Sequence, residues 1–537
     1  MSNFYKRKAN NSNNQTISNA FFTKEYKNTI CYNSYIGQKG YSIPKKYLSE
    51  EDITFLKKEL YVKPMTFGVG ANTDSAFFVY RESKSKMYLP RFYGVQRYGL
   101  PAKHEMSTGN TIDIPFVKEL RDYQTNIIDT YMKYVDCPIS VDTECKGNGG
   151  ILEVPCGRGK TVMALKIISL LKKKTLILVH KEFLMNQWIE RIQEFVPSAR
   201  IGKIQAAEFN IDDKDIVIGM IQTIYNKEYP KDTFSSFGLT IIDEVHRIGS
   251  EQFSKTLFKT ITPCMLGISA TVERKDQLTK VLYMFIGKKI YEEKRDKDEL
   301  VDVRAITYIA NDTEFNETEY DFRGAPKYST MLSKLSNFNS RNTFVVKIIE
   351  DLLSENNEKQ IMILTHQRAV LTYLYDAINH QELGSVGYYI GGMKPNDLRE
   401  TESKQIVLAT YAMAAEALDI KTLSTLIMVT PKTDITQSVG RILRVKNNQP
   451  IVVDIVDQHE MYQKQWLQRK RFYKSNNYRI CATDSTHYKD MDTTSNGWKN
   501  VFEPKDKKNE IQENPKCLIN LSLDEVQHEM DGAAYYK

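Results

Sequence analysis

The 537-residue sequence predicts an α/β protein with two successive parallel-sheet domains and a small N-terminal accessory domain with β structure. Three observations carry that prediction. Short apolar runs alternate with helical patterns twice over, first across residues 175–269 and again across 361–456. One run, Ile151-Leu152-Glu153-Val154, breaks at Pro155 into a glycine-bearing loop, which opens into the helical pattern Val162, Ala164, Leu165, Ile168, Leu171. Another, Leu239-Thr240-Ile241-Ile242, ends in two adjacent acids, Asp243 and Glu244.

Composition narrows the class. The chain is long enough for two to four domains, and 41% apolar with 26% charged residues is the balance of a soluble globular protein. No apolar run approaches 18 residues and Met1–Lys8 lacks an apolar signal core, so an intracellular protein is expected, neither secreted nor membrane-spanning. Seven cysteines without a Cys-x-x-Cys pair, and eight scattered histidines, favour reduced structural thiols over disulfides or zinc. A net charge of +7 permits nucleic-acid binding without arguing for it.

Residues 1–50 are polar and read as a flexible arm, with Asn-Asn-Ser-Asn-Asn-Gln at 10–15. Lys6-Arg7-Lys8 fits a solvated terminus better than a nuclear signal or phosphate contact. Residues 51–112 form the accessory domain, with strand-like stretches at Phe77–Tyr80 and Met87–Gly94. Its aromatics suit a core; beside Arg81, Arg91 and Arg97 they equally suit stacking on bases. The first sheet domain spans 113–292, entered by an amphipathic helix at 119–129 whose Gln124 carboxamide can pair with adenine. Residues 136–149 read as loop.

The loop at 155–161 has the chemistry of a nucleotide-phosphate site. Gly157 and Gly159 let backbone N–H groups wrap phosphates at a helix N-terminus. Lys160 brings a positive charge to the β/γ-phosphates, and the Thr161 hydroxyl can ligate Mg²⁺. The full pattern has glycine where Val154 stands, and Cys156 reads as a small filler. The acid pair completes the set: Asp243 can hold the Mg²⁺ shell and Glu244 can polarise a water for attack on the γ-phosphate. Together they read as a nucleotide hydrolase. Ser269-Ala270-Thr271 closes the last strand of this domain, its hydroxyls placed to bridge the site to its surroundings.

Residues 293–340 are charged and weakly periodic and read as a linker or insertion. A second alternation follows over 341–475, without its own phosphate loop. It carries Gln437-Ser438-Val439-Gly440-Arg441-Ile442-Leu443-Arg444, whose two arginines share a helix face. Facing the phosphate loop across a cleft, Arg441 and Arg444 would act as arginine fingers; alone, with Lys446 following, they would be a basic surface helix. Residues 461–474, basic with interleaved aromatics, suit a nucleic-acid contact or a closing helix with snorkelling lysines equally well. The tail, 476–537, shows no sustained periodicity.

In order, these residues resemble the superfamily 2 helicases, over roughly residues 115–460. The resemblance runs from motif Q (Leu120–Gln124) and motif I (Pro155–Thr161) through Leu178-Val179-His180-Lys181…Gln187-Trp188 and Gln222-Thr223. It continues through the DExH box Asp243–His246, Ser269-Ala270-Thr271, Ala409-Thr410…Glu416–Asp419, and Gln437–Arg444. The Leu-Arg-x-Tyr-Gln entry, the Pro-Cys-Gly-x-Gly-Lys loop and Arg274-Lys275-Asp276 resemble the XPB-type branch, which has Arg-Glu-Asp at the last place. Tyr88–Gly94 resembles helicases of large cytoplasmic DNA viruses, the poxvirus transcript-release type among them.

The resemblance implies two tandem RecA-like domains with an ATP cleft between them, and ATP and Mg²⁺ as cofactors. Gln124, Gly157, Gly159, Lys160 and Thr161 would bind ATP, and Asp243 with Thr161 the metal. Glu244, Arg441 and Arg444 would be catalytic, and His246, Ser269, Thr271, Asp419 and Gln437 would couple hydrolysis to movement. Thr223, Thr410 and, at the motif IV position, Arg368 would touch the polymer; Ala417 stands where motif V has glycine. The implied function is an ATP-dependent DNA helicase or translocase in viral transcription or in DNA repair or replication. Its partners would be DNA and the transcription or repair machinery, with no membrane. The implied location is the host cytoplasm, with nucleus and virion left open. An RNA helicase and a non-catalytic scaffold of the same fold are the alternatives. The chain lacks the Pro-Thr-Arg-Glu-Leu form of motif Ia found in DEAD-box RNA helicases, which favours DNA.

Overall fold

The computed structural model describes residues 22–64, 76–155, 157–247, 251–274, 276, 278–293, 301–416, 420, 422–440, 442 and 449–504. The chain divides into two compact units, the first running to Lys294 and the second from Arg295 to Gln512.

Among the described residues, the N-terminal part of the first unit contains seven short strands: β1 (Tyr35–Gly37), β2 (Gly40–Pro44), β3 (Tyr61–Val62), β4 (Phe77–Phe78), β5 (Arg81–Glu82), β6 (Lys86–Leu89) and β7 (Lys103–His104). β3 and β4 pair as a separate ribbon; the others form a sheet in the order β5-β6-β2-β1-β7. Residues 22–50 are therefore part of the fold, which corrects the reading of 1–50 as a flexible arm. Polar neighbours obscured a core stripe in which Ile30, Ile36, Tyr41 and Ile43 are all fully buried. The β1–β2 hairpin turns at Gly40, whose φ of +90° suits glycine and where a Cβ would sit 2.2 Å from the Leu89 carbonyl oxygen. Lys6–Lys8 and the 10–15 stretch lie outside the described residues.

The accessory region does not end at 112 with a core of its own. Its buried residues form one continuous cluster with Ile151, Leu176 and Met265. Arg91, 3% exposed, fastens the two together: its guanidinium donates to the carbonyls of Thr262 (3.1 Å), Pro263 (2.7 Å) and Gly147 (3.0 Å). Arg97 pairs with the buried Asp52, which also accepts from Tyr98, and Arg81 lies over Phe258. All three arginines thus serve packing, as in the core reading of these aromatics.

The first parallel sheet comprises β8 (Gly149–Glu153), β9 (Thr175–Val179), β10 (Ile201–Gln205), β11 (Glu208–Phe209), β12 (Ile216–Met220), β13 (Leu239–Asp243), β14 (Cys264–Ser269) and β15 (Lys289–Glu292). Their order is β11-β10-β12-β9-β13-β14-β8-β15, parallel throughout except for β11. Every residue of β9, β13 and β14 is buried, the mark of central strands covered on both faces. Because these strands run parallel, the carboxyl ends of β8, β13 and β14 share one edge, where ligands bind in open α/β sheets.

The second unit holds β16 (Asp302–Tyr308), β17 (Gln360–Thr365), β18 (Val386–Tyr389), β19 (Ile406–Thr410), β20 (Leu423–Met428), β21 (Ile451–Asp457), β22 (Arg479–Asp484) and β23 (Lys499–Phe502). Their order is β18-β19-β17-β20-β21-β16-β22-β23, and only β23 is antiparallel. Two expectations fail here. The 293–340 "linker" contains β16, an interior strand between β21 and β22. Its charges misled: Arg304 pairs with Asp302 and, through both Nη atoms, with Glu355, so the strand is buried with its ions neutralised. The tail from 476 supplies β22 and β23, and Tyr488, Met491 and Trp498 join the core.

The helix Glu460–Ser475 buries Tyr462, Arg469 and Tyr473, with Arg469 held by Asp454 at 2.8 and 2.9 Å, so it closes the sheet. Among the described residues no helix is long and apolar enough to cross a membrane.

Candidate active site

The phosphate loop leaves β8 and enters the helix Lys160–Leu171, with Gly159 as its N-cap at φ +81° and Gly157 at φ +84°. Side chains rarely adopt these values, and a Cβ on Gly159 would also lie 2.4 Å from Gln124 Nε2. Val154 is fully buried, and its N–H donates to the Ser269 carbonyl at 2.8 Å. The missing glycine is therefore absorbed by the strand, with the valine packed in the core. Cys156 lies outside the described residues.

Gln124 clamps this loop. Its Oε1 accepts from Arg121 N–H (3.0 Å), boxing the start of the helix Asp122–Val135, and its Nε2 donates to the Arg158 carbonyl (3.1 Å). That carbonyl also accepts from Tyr123 OH at 3.1 Å. The Arg158 guanidinium lies 3.8 Å from the Tyr123 ring centroid and pairs with Glu293. Each bond uses only half of the amide's donor or acceptor capacity, so the edge that could read a base is still present.

The two acids at the end of β13 differ in backbone conformation and in partners. In an extended strand, adjacent side chains point to opposite faces. Glu244 leaves the strand with φ +50°, a left-handed conformation costing about 1 kcal/mol or more for a non-glycine residue. Its Oε1 lies 3.0 Å from Lys160 Nζ. Asp243 stays in the sheet, 7% exposed, and its Oδ2 accepts from the Trp188 indole N–H at 2.9 Å.

A run of polar contacts continues from Glu244. His246 Nδ1 lies 3.3 Å from Glu244 Oε2 and 2.8 Å from Ser269 Oγ. Ser269 donates to the Thr271 carbonyl at 2.6 Å, so its hydroxyl proton is committed and it accepts from a protonated His246 Nδ1. Thr271 thus takes part through its backbone. Arg274 donates to the His246 carbonyl and pairs with Asp276, which fixes the turn after β14; Lys275 lies outside the described residues.

Burial, and next the Glu244 carboxylate, push the Asp243 pKa up to about 6, against the pull of Lys160 and the Trp188 N–H. An ordinary aspartate titrates near 3.9. The unfolded chain therefore loses this proton first as pH rises, and the folded state is progressively destabilised between about pH 4 and 6. Asp243→Asn, without nucleotide, should raise the melting temperature at pH 7.5, and the gain should shrink as the pH is lowered to 5. Melting curves at the two pH values check this; a lower melting temperature at pH 7.5 would show that the charge is fully compensated.

Oxygen donors are what Mg²⁺ takes, and it is usually held by one or two carboxylates plus substrate phosphates. Asp243 and the Thr161 hydroxyl, at the first turn of the phosphate-loop helix, suit that role. Among the described residues no group of three or more His, Cys, Asp or Glu side chains forms a self-contained metal cage.

The other predicted residues lie elsewhere. Thr223, in the helix Ile221–Asn226, accepts from Ala206 N–H at 3.1 Å. In the second unit, Thr410 ends β19, and Arg368 begins the helix Arg368–His380 and donates to the Gly391 carbonyl at 2.6 Å. Gln437 falls in the helix Thr436–Val439, but its side chain, like Asp419, Arg441 and Arg444, lies outside the described residues.

The family model "Type III restriction enzyme, res subunit" matches residues 117–274. An Acanthamoeba polyphaga mimivirus protein, provisionally named an ATP-dependent RNA helicase, is 33% identical over 82% of this chain and 85% of its own length. The chain belongs to the superfamily 2 helicases. This helicase is also 27% identical to an African swine fever virus protein, again provisionally named an ATP-dependent RNA helicase, over 63% of the chain and 70% of the relative. A Sulfurisphaera tokodaii protein named as an XPB-type DNA 3'-5' translocase is 32% identical over 37% of the chain and 43% of its own length.

Two residues of the helicase site carried no separate role in the sequence. Trp188 entered only as part of the Gln187-Trp188 resemblance, and only the folded chain shows its N–H aimed at Asp243. Arg158 is the variable residue of the loop, and its stacking on Tyr123 joins two motifs whose proximity the sequence does not reveal.

Proposed function

We propose that this helicase is an ATP-driven motor that moves along DNA. The observation that carries the reading is the continuous link from Lys160 through Glu244 and His246 to Ser269, which joins a phosphate-binding cation to the strand end behind it. In this reading Lys160 and the loop glycines bind the ATP phosphates, and Gln124 meets the adenine. Asp243 and Thr161 hold Mg²⁺, which when bound neutralises phosphate charge. Glu244 takes the proton of the attacking water, and His246 and Ser269 pass the change in charge along the sheet edge. Arg441 and Arg444 serve as arginine fingers for the γ-phosphate, and Asp419 and Gln437 couple hydrolysis to movement. Thr223, Thr410 and Arg368 contact the polymer backbone.

DNA is favoured by the XPB-type translocase match and by the motif Ia of this chain, and RNA by the names of the two viral relatives. We infer a role in viral transcription, as in transcript release, or in DNA repair or replication, within the host cytoplasm, from the resemblance of Tyr88–Gly94 to helicases of large cytoplasmic DNA viruses. The test is Mg²⁺-dependent ATP hydrolysis without nucleic acid, then with single-stranded DNA, duplex DNA and RNA. Low basal turnover with stimulation by DNA above that by RNA is the expected result. Stimulation by RNA alone makes it an RNA motor. No hydrolysis with any polymer, from folded protein, overturns the motor in favour of a scaffold.

A further inference from the structure

Trp188 sits on the helix Glu182–Phe195, which follows β9, beside β13 in the sheet. It is 1% exposed and among the largest fully buried side chains described. An indole N–H can only donate, and burying it without an acceptor is costly, so it needs a fixed partner. That partner is Asp243 Oδ2, at 2.9 Å. A phenylalanine would fill most of the same space, so packing alone does not call for the N–H.

We propose that Trp188 is the positioning residue of the metal carboxylate; this rests on Asp243 being the residue that holds Mg²⁺. The indole N–H holds Oδ2 and, together with the hydrogen bond from the Glu244 backbone, selects one carboxylate rotamer for the metal. A second partner of this kind orients a ligand before the metal arrives, and removing one typically weakens metal binding or activity by roughly 10–100-fold.

The test removes the N–H and nothing else. The isosteric analogue 3-benzothienylalanine, with sulfur in place of the indole N–H, is installed at position 188 of the full chain. Trp188→Phe, which loses the same donor with a smaller ring, is the second variant. Mn²⁺ is the probe, its binding to the protein with a non-hydrolysable ATP analogue followed by electron paramagnetic resonance. The expected result is a rise of about 10-fold or more in the Mn²⁺ dissociation constant, with metal-free nucleotide affinity and circular dichroism unchanged. Unchanged Mn²⁺ affinity in a folded variant, while Asp243→Asn loses Mn²⁺, overturns the proposal and leaves Trp188 a packing residue. Unchanged Mn²⁺ affinity in Asp243→Asn itself overturns the metal assignment beneath it.

Discussion

Glu244→Gln is expected to cut ATP turnover by about 10²–10⁴-fold while leaving nucleotide binding close to that of the parent. The substitution keeps the shape of the side chain and removes its basicity. Glu244 is held by Lys160 at 3.0 Å, and His246 lies 3.3 Å from its other oxygen. In the proposed motor this carboxylate is the group that accepts the water proton. Steady-state ATPase assays with saturating polymer, beside equilibrium binding of a fluorescent nucleotide, separate the two effects. Turnover within about 3-fold of the parent would exclude Glu244 as a general base contributing even the lower bound expected of one.

The largest stability effect is expected in the second unit, from Arg341→Met. Arg341 and Asp457 are both fully buried; the guanidinium reaches the two carboxylate oxygens at 2.7 and 2.8 Å and the Val429 carbonyl at 2.6 Å. Removing the cation strands a buried carboxylate, which costs about 3–5 kcal/mol. For a unit of this size that lowers its melting transition by about 10 °C. Pairing Arg341→Met with Asp457→Leu removes both charges and should recover most of the loss, because an apolar pair of similar volume is often as stable as a buried ion pair. Thermal melts of the single and double variants decide it. A single variant that melts with the parent would mean that water or another cation compensates Asp457.

How much of the fold was legible depended on how strands announce themselves. β9, β13 and β14 are covered on both faces, so they are unbroken apolar runs and were readable. β16 is equally central but carries Asp302 and Arg304, whose charges are cancelled by partners 2 and 51 residues apart in the chain. β1, β2, β22 and β23 were hidden by polar surroundings; β22 takes its place from β16, whose Asp302 lies 177 residues before Arg479 in the chain.

What the sequence alone determined is the local chemistry of the phosphate loop and the acid pair. A glycine loop running into a helix, and a strand ending in two acids, are contiguous segments whose function follows from backbone conformation and helix dipole. The tertiary structure decided which partners those groups meet. It set Lys160 against Glu244, put Glu244 in a left-handed backbone conformation, and brought Trp188, 55 residues away in the chain, onto Asp243. The physical reason is that desolvation and hydrogen-bond pairing depend on position in space, so a buried carboxylate's pKa and orientation exist only after the sheet has assembled.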